Sequence, residues 1–165
     1  MDAHRKVIIH GSGASQWRTP PVLVRKLQST FGFDWDLAAS LDSRVIAEDS
    51  TATSGRFLGP GSPWGADALA VSWVERCPSR RGFLNPPYSL SEIKALRADG
   101  AAADAPRIRA VRIENWAAKA YDESLLGFTT IGVFPYSPQT EWFRRYVMGH
   151  TDNPATTWSG HAALD

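Results

Sequence analysis

The first regular pattern of apolar positions lies between residues 19 and 32. Apolar side chains recur there at helical spacing: Val22, Leu23, Leu27 and Phe31. Thr19 is a suitable N-cap with Pro20 at the first helical position, and Gly32 is a typical helix end. The sequence therefore predicts a helix over this stretch, capped by Thr19.

A strand pattern follows at once. Phe33, Trp35 and Leu37 alternate with Asp34 and Asp36, as in a strand with one buried face. A carboxylate near a strand end can accept hydrogen bonds from the ammonium or hydroxyl groups of a ligand. In an exposed edge strand it is simply solvated, and this alternative stays open. The small residues that follow permit close approach of a ligand: Ala38, Ala39 and Ser40. The chain contains no G-x-G-x-x-G motif.

Further along, strand-like and helical segments alternate. The run Gly82-Phe83-Leu84 ends abruptly at two prolines. A helix is predicted from about residue 114 to Gly127, and residues 128–134 are predicted to form a buried strand. Residues 139–148 predict a third helix with three aromatic side chains facing inward: Trp142, Phe143 and Tyr146. Such alternation indicates an α/β fold with parallel strands.

Other stretches show no regular pattern. Residues 1–16 are predicted to be a flexible N-terminal lead, residues 40–66 are poor in structure, and residues 151–165 form an irregular C-terminal tail. Residues 17–150 are therefore predicted to form a single domain. We interpret residues 90–113 as a partly helical insertion in it.

The insertion is rich in basic residues: Lys94, Arg97, Arg107, Arg109 and Arg112. A solvated surface is the favoured interpretation, and a flap that faces DNA is the alternative.

Composition narrows the class of protein. With 165 residues, the chain has the length of one ordinary domain. Lys+Arg 18 against Asp+Glu 17 gives a net charge of +1, so any contact with DNA must come from a local patch.

The single cysteine, Cys77, excludes an internal disulfide framework and a multi-cysteine zinc site. No segment approaches the roughly 20 apolar residues of a membrane span. We expect a soluble cytoplasmic protein.

The stretch Asn85-Pro86-Pro87-Tyr88 carries the strongest chemical signal. It predicts a stiff, extended loop at the carboxyl end of a strand, where open α/β sheets bind ligands. The Asn85 side-chain oxygen and the Pro86 carbonyl can accept both hydrogens of one exocyclic amine, and the Tyr88 ring can stack on a planar ligand. The alternative is a surface turn, because Asn-Pro and Pro-Pro are common in loops.

Asn-Pro-Pro-Tyr is also the amine-binding motif of methyltransferases that use S-adenosylmethionine to methylate planar nitrogens. Further pieces occur in order along the chain: Trp17-x-Thr19-Pro20, Phe33-x-x-Asp36-x-Ala38-Ala39, Asp67-x-Leu69 with Trp73, Phe83-x-Asn85-Pro86-Pro87-Tyr88-Ser89, Trp116-x-x-Lys119-Ala120 and Pro135-x-x-x-x-Thr140-x-Trp142-Phe143. Together they resemble the phage-type, Dam-like DNA N6-adenine methyltransferase family over roughly residues 16–148.

The resemblance implies a Rossmann-like class I S-adenosylmethionine-dependent methyltransferase fold in the domain 17–150, in the cytoplasm of a bacterial host. It implies no metal. The residues that it assigns to the cofactor pocket are Trp17, Thr19, Pro20, Asp36, Ala38 and Asp67. The residues that it assigns to the target base are Asn85, Pro86, Pro87 and Tyr88. The partner is double-stranded DNA, from which the base must be flipped out.

Two features depart from the family pattern. The segment between Tyr88 and Trp116 is longer than expected, and no arginine-aromatic segment follows the last predicted helix. We therefore expect a sheet that lacks its final strands and leaves a neighbouring strand as an unpaired edge. Such a protein is predicted to be a homo-oligomer or a poorly stable monomer, with weak cofactor binding.

Two alternatives to a DNA adenine methyltransferase remain. One is methyl transfer to another planar amine or amide: RNA adenine, cytosine N4 or protein glutamine. The other is a non-catalytic DNA-binding remnant of the fold. Cofactor binding separates the remnant from the enzymes. No helix presents a base-contacting code, so the sequence predicts no DNA recognition site.

Overall fold

A computed structural model of the chain describes residues 19–39, 56–88, 93–94, 97–100, 102 and 105–148. The helices are α1 (Pro21–Phe31), α2 (Trp73–Arg76), α3 (Pro106–Ala110) and α4 (Ile113–Leu125), with a π-helix, π1, at Phe143–Val147. The strands are β1 (Trp35–Asp36), β2 (Arg81–Leu84) and β3 (Thr129–Gly132). The predicted lead and tail, and Trp17, lie outside the described residues.

The three strands form one parallel sheet in the order β1-β2-β3. Asp36 is paired with Phe83, and Leu84 with Gly132. The prediction of an α/β fold with parallel strands is therefore confirmed.

The segment around Phe57 extends the sheet on the other side of β1. Phe57 forms a parallel bridge with Asp36. The Asp36 N–H donates to the Arg56 carbonyl at 2.9 Å, and the Leu58 N–H donates to the Asp36 carbonyl at 2.8 Å. β1 is thus paired on both sides, so it is not an edge strand.

The path of the chain therefore reverses across β1. After β1 the chain goes to one side, to Phe57, and then returns to the other side, to β2 and β3. This reversal is a topological switch point, and the carboxyl ends of β1 and β2 flank it. In open α/β sheets such a point opens a crevice between the loops that leave the two strands.

Helix α1 begins one residue later than predicted. Pro20 is its N-cap, the Pro20 carbonyl accepts from the Val24 N–H at 3.1 Å, and Pro21 is the first helical residue. Gly32 ends the helix in the left-handed region with φ 67°, as the sequence predicts. The prediction of Thr19 as the N-cap is wrong, because two consecutive prolines move the cap one residue along.

The sheet is covered on both faces. On one face Val24 of α1 packs with Phe33 and Phe83, whose rings stack at 5.4 Å. The other face carries the larger buried cluster: Trp35, Leu37, Leu58, Ala68, Trp73, Cys77, Leu84, Trp116 and Phe128. The alternation of Phe83 and Leu84 between the two clusters follows the two-residue period of a strand.

This packing corrects the prediction that Asp34 and Asp36 share an exposed face. Asp36 is only 3% exposed, because it is in register with Phe83 and so lies on the face that α1 covers. Asp34 precedes the strand and forms an ion pair with Arg56, Nη1 to Oδ2, at 2.5 Å. It also accepts a hydrogen bond from the Ser79 hydroxyl.

The second half of the domain differs in part from the prediction. Helix α4 forms nearly where predicted, ending at Leu125 rather than at Gly127. The prediction of a buried β3 is wrong: Thr129 and Gly132 are exposed, because β3 is the last strand of the described sheet. The third predicted helix is the shorter π1, and of its three aromatic residues only Phe143 is buried.

Glu123 of α4 is a buried carboxylate that the sequence did not single out. It is 2% exposed, pairs with Lys119 at 2.7 Å, and accepts from the Val74 N–H at 3.0 Å. Burial raises the pKa of this carboxyl, but hydrogen bonds from Lys119 and from backbone N–H groups outweigh it and leave the pKa below its ordinary value. The contact with Val74 fixes the C-terminal part of α4 beside α2.

Among the described helices, none is long and apolar enough to cross a membrane.

Candidate functional site

The loop Asn85-Pro86-Pro87-Tyr88 leaves the sheet at the carboxyl end of β2. Its four residues form no regular element, as two prolines dictate. Pro86 is buried, and the other three residues are half-buried. The loop therefore lies against the molecule rather than out in solvent, and this argues against a plain surface turn.

Thr19 contacts this loop directly. The Asn85 amide nitrogen, Nδ2, donates to the Thr19 hydroxyl oxygen at 2.8 Å, across 66 positions of sequence. Thr19 is 7% exposed. Only three residues join α1 to β1, so the start of α1 lies at the carboxyl ends of the strands, beside Asn85.

This contact orients the Asn85 amide. Since Nδ2 points to Thr19, the carbonyl oxygen Oδ1 occupies the other branch of the planar group and is directed away from Thr19. A fixed acceptor at a strand end can receive a hydrogen from an amine. Two residues that the resemblance assigns to different pockets are therefore neighbours.

Asp36 is the last residue of the adjacent strand. Its Oδ1 accepts from the Ala38 N–H at 3.4 Å. The Leu37 N–H donates to the Phe83 carbonyl at 2.8 Å, which continues the pairing of β1 with β2 one residue past the strand. The segments of Asp36 and Asn85 therefore leave the sheet side by side, at the switch point.

Gly59 approaches the same region from the other side. Its backbone lies so close to Ala39 that an added Cβ would come within 1.9 Å of the Ala39 carbonyl oxygen. Gly59 also has φ 137°, a conformation that L side chains rarely adopt. Only glycine therefore fits at position 59. The residues that meet just beyond the end of β1, Ala39 and Gly59, are both small. The sequence analysis missed Gly59, whose Gly-Pro-Gly context indicates only a loop.

The remaining predicted cofactor residues in the described part of the chain are Pro20, Asp67 and Ala38. Pro20 is exposed and serves as the N-cap of α1. Asp67 is exposed, and its Oδ1 accepts from the Leu69 N–H at 3.0 Å within its own turn. Ala38 is half-buried beside Asp36. The structure thus brings Thr19, Asp36, Ala38 and Asn85 to one edge of the sheet, and Asp67 is engaged in its own turn.

The described residues offer neither a cluster of metal ligands nor a reactive cysteine. They contain no group of three or more His, Cys, Asp or Glu side chains that could hold a metal ion. Cys77 is buried in the core, and burial, with Asp34 and Glu123 nearby, raises the pKa of its thiol to about 12. Cys77 is therefore a packing residue and not a nucleophile at neutral pH.

A cavity of about 210 Å³ lies at the opposite, amino end of the strands. Its lining includes Asp34, Arg56 and Ser79, which already bind one another, beside the rings of Trp35 and Trp64. Those polar groups hold the segments before β1 and β2 together. The Asn85–Thr19 hydrogen bond and the buried Asp36 lie at the opposite, carboxyl end.

No family model, no curated protein and no solved structure matches the chain.

Proposed function

We propose that the chain is a DNA methyltransferase that transfers a methyl group from S-adenosylmethionine to the N6 amine of adenine. The observation that carries the proposal is the hydrogen bond between Asn85 and Thr19 at the carboxyl edge of the sheet. It fixes the amide of the Asn-Pro-Pro-Tyr loop beside the end of β1. The choice of adenine in DNA rests on the ordered motif set in the sequence.

The topology supports a Rossmann-like class I fold for this proposal. The spatial order of the Phe57 segment, β1, β2 and β3 has the reversal around which open α/β sheets bind their ligands. The motif loop and the predicted cofactor residue Asp36 flank that reversal.

The residues at the end of β1 fit the proposed cofactor. A buried carboxylate, Asp36, is a suitable acceptor for an ammonium or hydroxyl group. The residues beside it that the structure describes, Ala38, Ala39 and Gly59, are small. When bound, S-adenosylmethionine supplies a methyl group on a positively charged sulfur. Asp36 and Ala38 would hold it.

Asn85 and Pro86 act on the acceptor amine. An exocyclic amine conjugated with its ring is a poor nucleophile because its lone pair is delocalised. When Asn85 Oδ1 and the Pro86 carbonyl accept its two hydrogens, the nitrogen moves toward tetrahedral geometry and its lone pair becomes available. Thr19 keeps the amide in the orientation that this requires. Catalysis is then mostly placement of the two reactants, and one amine proton passes to solvent after transfer.

Tyr88 completes the acceptor site. It is half-buried at the end of the loop, where its ring can stack on an extruded base. Extrusion from a duplex costs a few kcal/mol, and stacking offsets part of this cost.

The test is methyl transfer from labelled S-adenosylmethionine to mixed-sequence duplex DNA, followed by nucleoside analysis. We expect label in N6-methyladenine and none with Asn85→Ala. Label in N4-methylcytosine, or only in RNA or protein offered in parallel, would assign the chain to another acceptor. Failure to bind the cofactor would refute the proposal altogether.

A further inference from the structure

The helix α3 carries two arginines, Arg107 and Arg109, both of which are exposed. Their helix lies in the insertion that the motif set does not cover. Neither the hydrophobic core nor the proposed chemistry uses these two side chains. Their position relative to Asn85 follows from how α3 is attached.

Helix α3 is fixed to the first turn of α4. The Trp116 indole N–H donates to the Ala110 carbonyl at 2.8 Å, and the Asn115 amide donates to the Arg109 carbonyl at 3.0 Å. Between the two arginines, Ile108 is fully buried. One side of α3 is therefore anchored in the molecule, and the arginines extend from its other side.

The first turn of α4 lies at the carboxyl end of the sheet. Only three residues join the C-terminus of α4 to β3, and Glu123 contacts Val74 ahead of β2, so the C-terminal end lies at the amino ends of the strands. The helix has 13 residues, a length of about 20 Å, and it contacts β3 as it runs back. Arg107 and Arg109 are thus at the same end of the sheet as the Asn85 loop.

Among the described residues, positive charge outweighs negative charge around these arginines. In the described part of the chain neither of them forms an ion pair, whereas nearby Arg112 binds Glu114 at 2.5 Å. Between residues 93 and 110 the described bases are Lys94, Arg97, Arg107 and Arg109, all of them exposed. The one described acid in that interval is Asp99. Since the whole chain has a net charge of +1, this is a local concentration of positive charge.

We propose that α3 presents Arg107 and Arg109 to the phosphates of a nucleic-acid duplex beside the flipped base, as a basic rim of the acceptor site. The inference rests on the proposed function for its substrate. Phosphates are the partner of choice because two exposed guanidinium groups on an anchored helix, at the same end of the sheet as the proposed base-binding loop, match a backbone that runs past the extruded nucleotide. The insertion thereby gains a role that a solvated surface would not have.

The test compares two double variants of equal charge. Arg107→Gln with Arg109→Gln removes the basic rim. Arg76→Gln with Arg80→Gln is the matched control, because both residues are exposed and lie ahead of β2, at the amino end. Glutamine keeps most of the side-chain length. Binding of a 20-base-pair duplex is measured as a function of salt, with a thermal melt of each variant to establish that it is folded.

We expect the rim variant to reduce the slope of log affinity against log salt by about 1.8, since each phosphate contact contributes about 0.9. At 0.1 M salt, relative to 1 M, a slope change of about 1.8 corresponds to a loss of roughly 60-fold in affinity. The control should keep the wild-type slope. Equal losses in both variants, or no loss in the rim variant, would overturn the inference.

The same preparation separates this inference from the proposed function. If the wild type binds duplex DNA with a salt slope that depends on the basic rim but transfers no methyl group, the inference about the rim stands and the proposed enzymatic activity is refuted. If the wild type methylates DNA and the rim variant binds DNA equally well, the proposed enzymatic activity stands and the inference about the rim is refuted.

Discussion

The two ends of the parallel sheet use their polar side chains differently. At the amino end, Asp34 pairs with Arg56 and accepts from Ser79, near the surface. At the carboxyl end, Asp36 is buried and Asn85 is held by a buried threonine. Two aspartates only two positions apart therefore have different environments, although the strand pattern treats them alike.

The physical reason is the direction of the chain. Helices α1 and α4 each return to the amino end through a connection of three residues. The connection from α1 to β1 is held by the surface pair of Asp34 with Arg56, and such pairs contribute little to stability. At the carboxyl end the loops that leave β1 and β2 flank the switch point, and the polar groups there, Asp36 and the Asn85–Thr19 pair, are buried or half-buried. The polar groups at the amino end stabilise the fold, and in our proposal those at the carboxyl end take part in methyl transfer.

Replacing Asn85 should have the largest effect on activity. Asn85→Ala should lower the rate of single-turnover methyl transfer by about 100-fold or more, which is the usual loss when one hydrogen-bonding group at a reacting centre is removed. The affinity for the cofactor should be nearly unchanged. Asp34→Asn at the amino end is the control and should keep its activity. Full activity in Asn85→Ala would remove Asn85 from the chemistry.

The second replacement tests the two aspartates against each other. Asp36→Asn should weaken binding of S-adenosylmethionine by roughly 10- to 150-fold, since a lost charge-assisted hydrogen bond costs about 1.5–3 kcal/mol. Asp34→Asn should bind normally. Calorimetry of both variants checks this, and equal affinities would place the cofactor elsewhere.

A substitution of Glu123 tests whether the polar groups at the amino end only stabilise the fold. Glu123→Gln should lower the free energy of unfolding by about 1–3 kcal/mol at pH 7 and leave the methyl-transfer rate of the folded protein unchanged. Because the folded state lowers the pKa of Glu123, the wild-type advantage is present above the ordinary pKa of 4.5 and is lost as pH falls below it. Denaturant melts at pH 7 and pH 3.5 measure the difference. A gap that stayed constant between the two pH values would contradict this linkage.

Thr19 gives the smallest effect. Thr19→Val removes the hydroxyl that holds Asn85 and should slow methyl transfer by roughly 2- to 12-fold, the equivalent of one neutral hydrogen bond. Thr19→Ser keeps the hydroxyl and should restore most of the rate. Equal rates in the valine and serine variants would show that Thr19 acts only through packing.

Local patterns in the sequence predicted local structure well. The spacing of apolar residues and Gly32 predicted α1, and the two prolines predicted the end of β2 at Asn85. These features depend on neighbours within one turn or one strand. The residues next to each of these features are therefore enough to predict it.

Features that depend on distant partners were missed. Thr19 has the chemistry of an N-cap, and nothing near it in sequence shows that its partner is Asn85, 66 positions away. The burial of Asp36 depends on which face α1 covers, and the exposure of β3 on its place in the strand order. The site residues could be proposed from motifs, but their contacts required the fold.

Chemical-shift mapping can show which end of the sheet binds the cofactor. In a titration of the ¹⁵N-labelled protein with S-adenosylhomocysteine, backbone amide shifts report which end is contacted. We predict the largest changes at Ala38, Ala39, Gly59 and Asn85, with Asp34 and Ser79 unaffected. Changes centred on Asp34 and Ser79, or none at millimolar ligand, would contradict the assignment of the carboxyl end as the functional site.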